Sequence, residues 1–131
     1  MIFVDTSAWF AGCVPTDANH KAASGLLRSR RSRFVTTDFV IDELLTLLKA
    51  RGEFKRALDI GSQLFGGVAA RIEWVEQADV LEAWQVFVSH RDKAWSFTDC
   101  VSRVVMERLR IATAVAFDEH FHQFGTVSVV P

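Results

Sequence analysis

Cysteine is scarce in this 131-residue chain, which holds only Cys13 and Cys100. The two make neither a disulfide framework nor a zinc-ligand spacing, and they read as reduced, buried thiols suited to a reducing compartment. A surplus of charge of one sign is missing too. The net charge is −1, so no overall basic field advertises a polyanion binder and no acidic tail advertises disorder. No apolar run approaches the roughly 20 residues of a membrane span. Asp5 breaks the first apolar run and no basic segment precedes it, so no secretory leader is expected. Repeats, low-complexity segments and linkers are absent as well. These absences leave a soluble, cytoplasmic chain, expected to form one domain over residues 1–131 and to bury roughly two-thirds of its unfolded surface.

What is present is an ordinary globular composition, 50% hydrophobic and 24% charged, with a distinct pattern. Apolar runs too short for helices recur: IFV at 2–4, RFVTT at 33–37, RIEWV at 71–75, TAVAF at 113–117 and VSVV at 127–130. Segments of helical period separate them: ANHKAASGLLRSRR, DFVIDELLTLLKARG ending at Gly52, EFKRALDIGSQLFGG, ADVLEAWQVFVSHR and DCVSRVVMERLRI. Strands alternating with helices predict an α/β domain on a parallel sheet, and the continuous apolar character of the strands predicts cover on both faces.

In such sheets ligands bind beyond the carboxyl ends of the strands. Three acidic residues fall there: Asp5 after the first strand, Asp118 after the fourth, and Asp99 at the start of the helix leading into the fourth. Each has a plainer reading. Ser96-x-x-Asp99 matches a capping box, and Asp5 and Asp118 suit helix N-caps. A common rim nevertheless lets all three converge. Glu43 is a fourth candidate, at the edge of the stripe formed by Val40, Ile41, Leu44, Leu45, Leu47 and Leu48, with Asp42 at the opposite edge. Asp17, Asp38 and Asp42 are decoys or accessory groups.

The ordered set VDTSAW, DELLTLL, SFTDC and AFDEHFHQFG resembles the PIN-domain ribonucleases, and most closely the VapC-like toxins of type II toxin–antitoxin pairs. The resemblance spans essentially the whole chain. It implies a three-layer α/β/α fold with a five-stranded parallel sheet in the order 3-2-1-4-5. It implies an acidic quartet of Asp5, Glu43, Asp99 and Asp118, with Thr6 or Ser7 and Thr98 as flanking hydroxyls. It further implies a homodimer and an antitoxin that blocks the acidic site from a groove on the two middle helices.

Four clustered carboxylates repel one another and take up protons or cations. Oxygen ligands without a His or Cys complement select Mg²⁺ or Mn²⁺, as one ion or a pair. The chemistry expected is metal-dependent hydrolysis of RNA phosphodiester bonds, with Asp5, Asp99, Asp118 and Glu43 as metal ligands and catalytic groups. Basic residues offer weaker candidates for RNA contact: Arg28, Arg30, Arg31 and Arg33 in one run, Lys49 and Arg51 near Gly52, with Lys55 and Arg56 beyond. A solvated helix end is the favoured explanation of the first run. His120 and His122 read as loop residues beside a packing Phe121, and no tryptophan is assigned to RNA. The alternatives are a non-catalytic α/β binding module and a phospho-receiver-like domain. The latter is disfavoured because Thr6 and Ser7, not a second acid, follow Asp5.

Overall fold

The computed structural model describes residues 1–29, 33–125 and 128–130; the expected RNA contacts Arg30 and Arg31 lie outside them. Five short strands, β1 (Ile2–Val4), β2 (Phe34–Thr37), β3 (Arg71–Glu73), β4 (Thr113–Val115) and β5 (Ser128–Val130), run parallel. The central order is β3-β2-β1-β4, and β5 pairs with β4 at the far edge. Six helices connect them: α1 (Thr6–Cys13), α2 (His20–Ser29), α3 (Asp38–Ala50), α4 (Phe54–Phe65), α5 (Gln77–Ser89) and α6 (Phe97–Leu109). A 3₁₀ turn over His122–Phe124 precedes β5.

The helices pack in sequential pairs, α1 on α2, α3 on α4 and α5 on α6. Strand order moves outward from β1 to β3 and then returns past β1 to β4. Right-handed crossovers in such a path lay the first four helices on one sheet face and the last two on the other. That explains why the strands read as unbroken apolar runs: Phe3, Val4, Val35, Ala114 and Val115 are buried between the two layers. Val40, Leu44 and Leu48 of α3 and Val101 and Val105 of α6 close the core. Helix α3 ends where its sequence says it should, at Arg51 followed by Gly52 in the left-handed conformation (φ 74°).

The change of direction lies between β1 and β4, the adjacent pair whose connections leave to opposite sides. Its carboxyl edge carries Asp5 on one strand end and the segment leading to Asp118 on the other.

Candidate active site

Chain direction alone brings Asp5 beside β4. The main-chain N–H of Asp5 donates to Val115 O at 3.0 Å, one step beyond the paired residues of β1 and β4. Asp5 then caps α1: its Oδ2 accepts the N–H of Ser7 at 3.2 Å and the Ser7 hydroxyl at 2.7 Å. The same Ser7 Oγ accepts the N–H of Phe117 at 2.9 Å, so one hydroxyl stitches the end of β1 to the segment after β4. Of the two expected flanking hydroxyls, Ser7 is therefore the one that holds Asp5. The Thr6 hydroxyl is buried without a hydrogen-bond partner among the described residues.

Asp118 follows Phe117, and its Oδ1 accepts the main-chain N–H of His120 at 3.1 Å in a tight side-chain turn. Asp99 arrives from the other direction, on the first turn of α6. The capping box is real: Ser96 Oγ accepts the Asp99 N–H and Asp99 Oδ2 accepts the Ser96 N–H, both at 3.0 Å. Capping and membership of a site prove compatible, because that same Oδ2 also lies 2.6 Å from His120 Nδ1. The side chain of Thr98, the other expected hydroxyl, makes no hydrogen bond among the described residues and is half-buried.

The electrostatics are unfavourable without a counter-charge. Asp5 is 1% exposed, and its carboxyl is held well above the usual carboxylate range, first by burial and then by the charge of Asp118, with Asp99 adding to the rise. The Ser7 hydrogen bond works in the opposite direction. Burial also raises Asp99 and Asp118 adds to that rise, while the Ser96 N–H and His120 oppose it. Among the described residues no Lys or Arg forms an ion pair with Asp5, Asp99 or Asp118. One ligand atom each from Asp99, Asp118 and His120 lie within 4.8 Å of one another. Carboxylates that burial and mutual repulsion disfavour as anions, with no Lys or Arg to balance them among the described residues, fit a hard divalent cation.

Neither Asp5 nor Glu43 is in that tight group; Asp5 is tied to it through Asp118, whose charge raises its pKa. Glu43 is half-buried on α3, whereas Asp42 is exposed, so the helix rotation favours Glu43 as the stripe spacing does. The other acids have structural posts. Asp17 Oδ1 accepts the Asn19 N–H at 2.8 Å, and Asp38 Oδ1 accepts the Val75 N–H at 2.7 Å, tying the start of α3 to the chain after β3.

The basic candidates sit elsewhere. Arg33 immediately precedes β2 and Arg28 closes α2, which places both at the amino edge of the sheet, opposite the acidic rim. Arg28 instead borders a cavity of about 240 Å³ with Trp9, Cys13 and Arg56. Lys49 lies over the Phe54 ring and Arg51 over the Phe10 ring. His120 corrects the sequence reading in the other direction: it is no mere neighbour of Phe121 but bonds to two of the acids. Its position two residues after Asp118, as in other Asx turns, is the signal that was available.

A model of the PIN domain matches residues 2–127. The chain belongs to the PIN-domain family. This PIN domain is 36% identical over 131 residues to the 23S rRNA-specific endonuclease VapC20 of Mycobacterium tuberculosis, spanning 100% of this chain and 99% of that relative. It is 25% identical over 136 residues to Ribonuclease VapC26 of the same species, spanning 99% and 100%. The crystal structure of M. tuberculosis VapC20, a Sarcin-Ricin loop cleaving toxin, matches this PIN domain with a TM-score of 0.92 at 34% identity, over the full length of both chains. The structure of FitAcB from Neisseria gonorrhoeae matches with a TM-score of 0.72 at 14% identity, covering 100% and 97%, a likeness of fold. The phospho-receiver reading gives way to this membership. No helix among the described residues is long and apolar enough to cross a membrane.

Proposed function

We propose that this PIN domain, acting as a single unit over residues 1–131, is the toxin of a toxin–antitoxin pair and an endoribonuclease that hydrolyses RNA phosphodiester bonds with Mg²⁺ or Mn²⁺. The observation that carries the reading is the convergence of Asp5, Asp99 and Asp118 from three separate elements at one sheet edge, mutually repelling, two of them buried and Asp118 half-buried, with no Lys or Arg partner among the described residues. A divalent cation bound there, singly or as a pair, neutralises charge that builds on the phosphate and promotes attack by water. The chain's own residues do the rest. Ser7 holds Asp5, the α6 capping box holds Asp99, and the turn at His120 holds Asp118, so the ligand oxygens are fixed before substrate arrives. Glu43, from α3, supplies the fourth acid of the quartet and orients water or completes the ligand set. Thr6 and Thr98 are the remaining hydroxyls near the acids.

The 36% relative acts on 23S rRNA, and its identity over the full length makes ribosomal RNA the first substrate to test. The antitoxin's docking place is the shallow groove between α3 and α4, lined by Leu45, Phe54, Ala57 and Leu58, where Phe54 and Leu58 are more than half exposed. The working form is a homodimer in the cytoplasm, where its RNA is. The test is cleavage of purified ribosomes and naked ribosomal RNA in Mg²⁺ or Mn²⁺, with fragment ends mapped. Loss of cutting in both Asp99→Asn and Asp118→Asn, with folding intact, supports the reading. Wild-type rates in both variants overturn it.

A further inference from the structure

We infer that His120 is a positioning residue of this acidic site, a clamp that sets Asp99 against Asp118. The inference rests on the hydrolase reading for its purpose but on hydrogen bonds for its content. Two carboxylates from different elements are held by one residue: its main-chain N–H donates to Asp118 Oδ1 at 3.1 Å, and its ring Nδ1 lies 2.6 Å from Asp99 Oδ2. Asp99 Oδ2 already accepts the Ser96 N–H, so the ring completes that oxygen as a second donor through Nδ1–H. Both contacts on Asp99 fall on Oδ2, which leaves Oδ1 without a hydrogen bond among the described residues.

The clamp is itself anchored. Phe121, the next residue, is fully buried, stacking on Phe3 with ring centroids 6.1 Å apart and meeting Phe124 at 4.7 Å. The His120 carbonyl accepts the Gln123 N–H at 3.1 Å. Core packing on one side and the 3₁₀ turn on the other restrict the imidazole, so little rotamer freedom remains to be lost when a ligand binds. Bonds of this kind to a ligating group are worth about 10- to 100-fold in metal affinity when removed.

The test uses the full chain, two substitutions and two readouts. His120→Ala removes the side-chain donor, whereas His120→Asn keeps an N–H at the place of Nδ1 and lacks Nε2. With Mn²⁺ as the probe, the Ala variant is expected to bind about 10- to 100-fold more weakly and to lose kcat with KM for RNA nearly unchanged, and the Asn variant to recover most of both. Equal Mn²⁺ binding in wild type and His120→Ala overturns the inference. An Asn variant as impaired as Ala overturns it as well, by making the ring a direct ligand or proton carrier through Nε2. The second readout needs no metal: the ring ¹⁵N resonances of His120 in metal-free protein should move on Asp99→Asn, and resonances that stay put refute the contact. A wild-type protein that binds no Mn²⁺ defeats the hydrolase reading and leaves the nitrogen spectrum to decide the clamp.

Discussion

The hydroxyl of Ser7 donates to Asp5 Oδ2 at 2.7 Å, the closest support that the most deeply buried acid of the site receives from its own chain. It also accepts the Phe117 N–H, so Ser7→Ala breaks two bonds at once. The expected cost is about 1–3 kcal/mol, because a main-chain donor and a carboxylate both lose a partner. Ser7 lowers the Asp5 pKa, and its loss should push that carboxyl further up and weaken Mn²⁺ binding at neutral pH. Chemical denaturation and metal titration of the same preparation check both parts.

Asp5→Asn should abolish RNA cleavage yet stabilise the metal-free fold. Asparagine caps a helix as well as aspartate does, so α1 keeps its start. The folded-state pKa of Asp5 is raised, which means that the native protein binds more protons than the unfolded chain and loses stability as pH rises through that window. At neutral pH in a chelator the variant should melt several degrees higher, the scale of about 1 kcal/mol in a domain of this size. The gap should narrow as pH falls toward the unfolded carboxyl value of about 3.9. Added Mn²⁺ should raise the wild-type Tm and leave the variant unmoved.

A second buried acid has the opposite sign. Asp79 on α5 accepts two bonds of 2.8 Å from Arg108 on α6. Burial raises its pKa, but the Arg108 hydrogen bonds, the Glu76 N–H and the guanidinium charge outweigh burial and hold it below the usual range. Arg108→Ala should cost about 2 kcal/mol, less than for a wholly enclosed pair because Arg108 is 31% exposed. A depressed folded-state pKa gives stability that is complete above the unfolded value and is lost as pH falls through the folded one, so the pair's contribution should begin to fall near pH 4 and be gone only at still more acid pH, below the folded-state value. Melting curves across acid pH for both proteins test this, and cleavage by folded variant should be unchanged.

Helix α6 ends on Arg110 in the left-handed conformation (φ 56°), where a side chain is strained. Arg110→Gly should relieve that strain and stabilise by about 0.5–1 kcal/mol, the extra chain entropy of glycine consuming part of the gain. A rightward shift of the denaturant midpoint with an unchanged slope is the expected result.

Much of this was legible in the residues. Strands β1, β2 and β4 announce themselves as short apolar runs because both sheet faces are covered there, whereas β3 carries an exposed Arg71 and a half-buried Glu73; Asp5 and Asp118 stand just beyond two of those runs. TAVAF overstated its strand: β4 ends at Val115, and Phe117 is turned to the service of Ser7. Asp99 reads as a cap or a site residue; the structure shows the cap, and the same Oδ2 also lies beside His120 Nδ1, so the cap does not exclude the second role. The role of His120 is only half marked in the sequence: its place two residues after Asp118 signals the turn, but the partner of its ring is an acid 21 positions away. Glu43 stayed ambiguous against Asp42 because neither edge of an apolar stripe is distinguished until the helix is packed. Arg33 shows the need for strand polarity: it leads into β2, and the entry of one strand is never next to the exit of its parallel neighbour, so Arg33 stands away from the acidic rim.

The Ser7–Phe117 bond spans 110 positions, and the acids it brings together lie near opposite ends of the chain. A truncated product of nonsense mutation, ribosome stalling or proteolysis that stops short of Asp118 cannot assemble the pair, however well its first helices form. Harm from such a nuclease would begin only once Asp118 has been made and folded against Asp5, and every copy cut short before that point is inert.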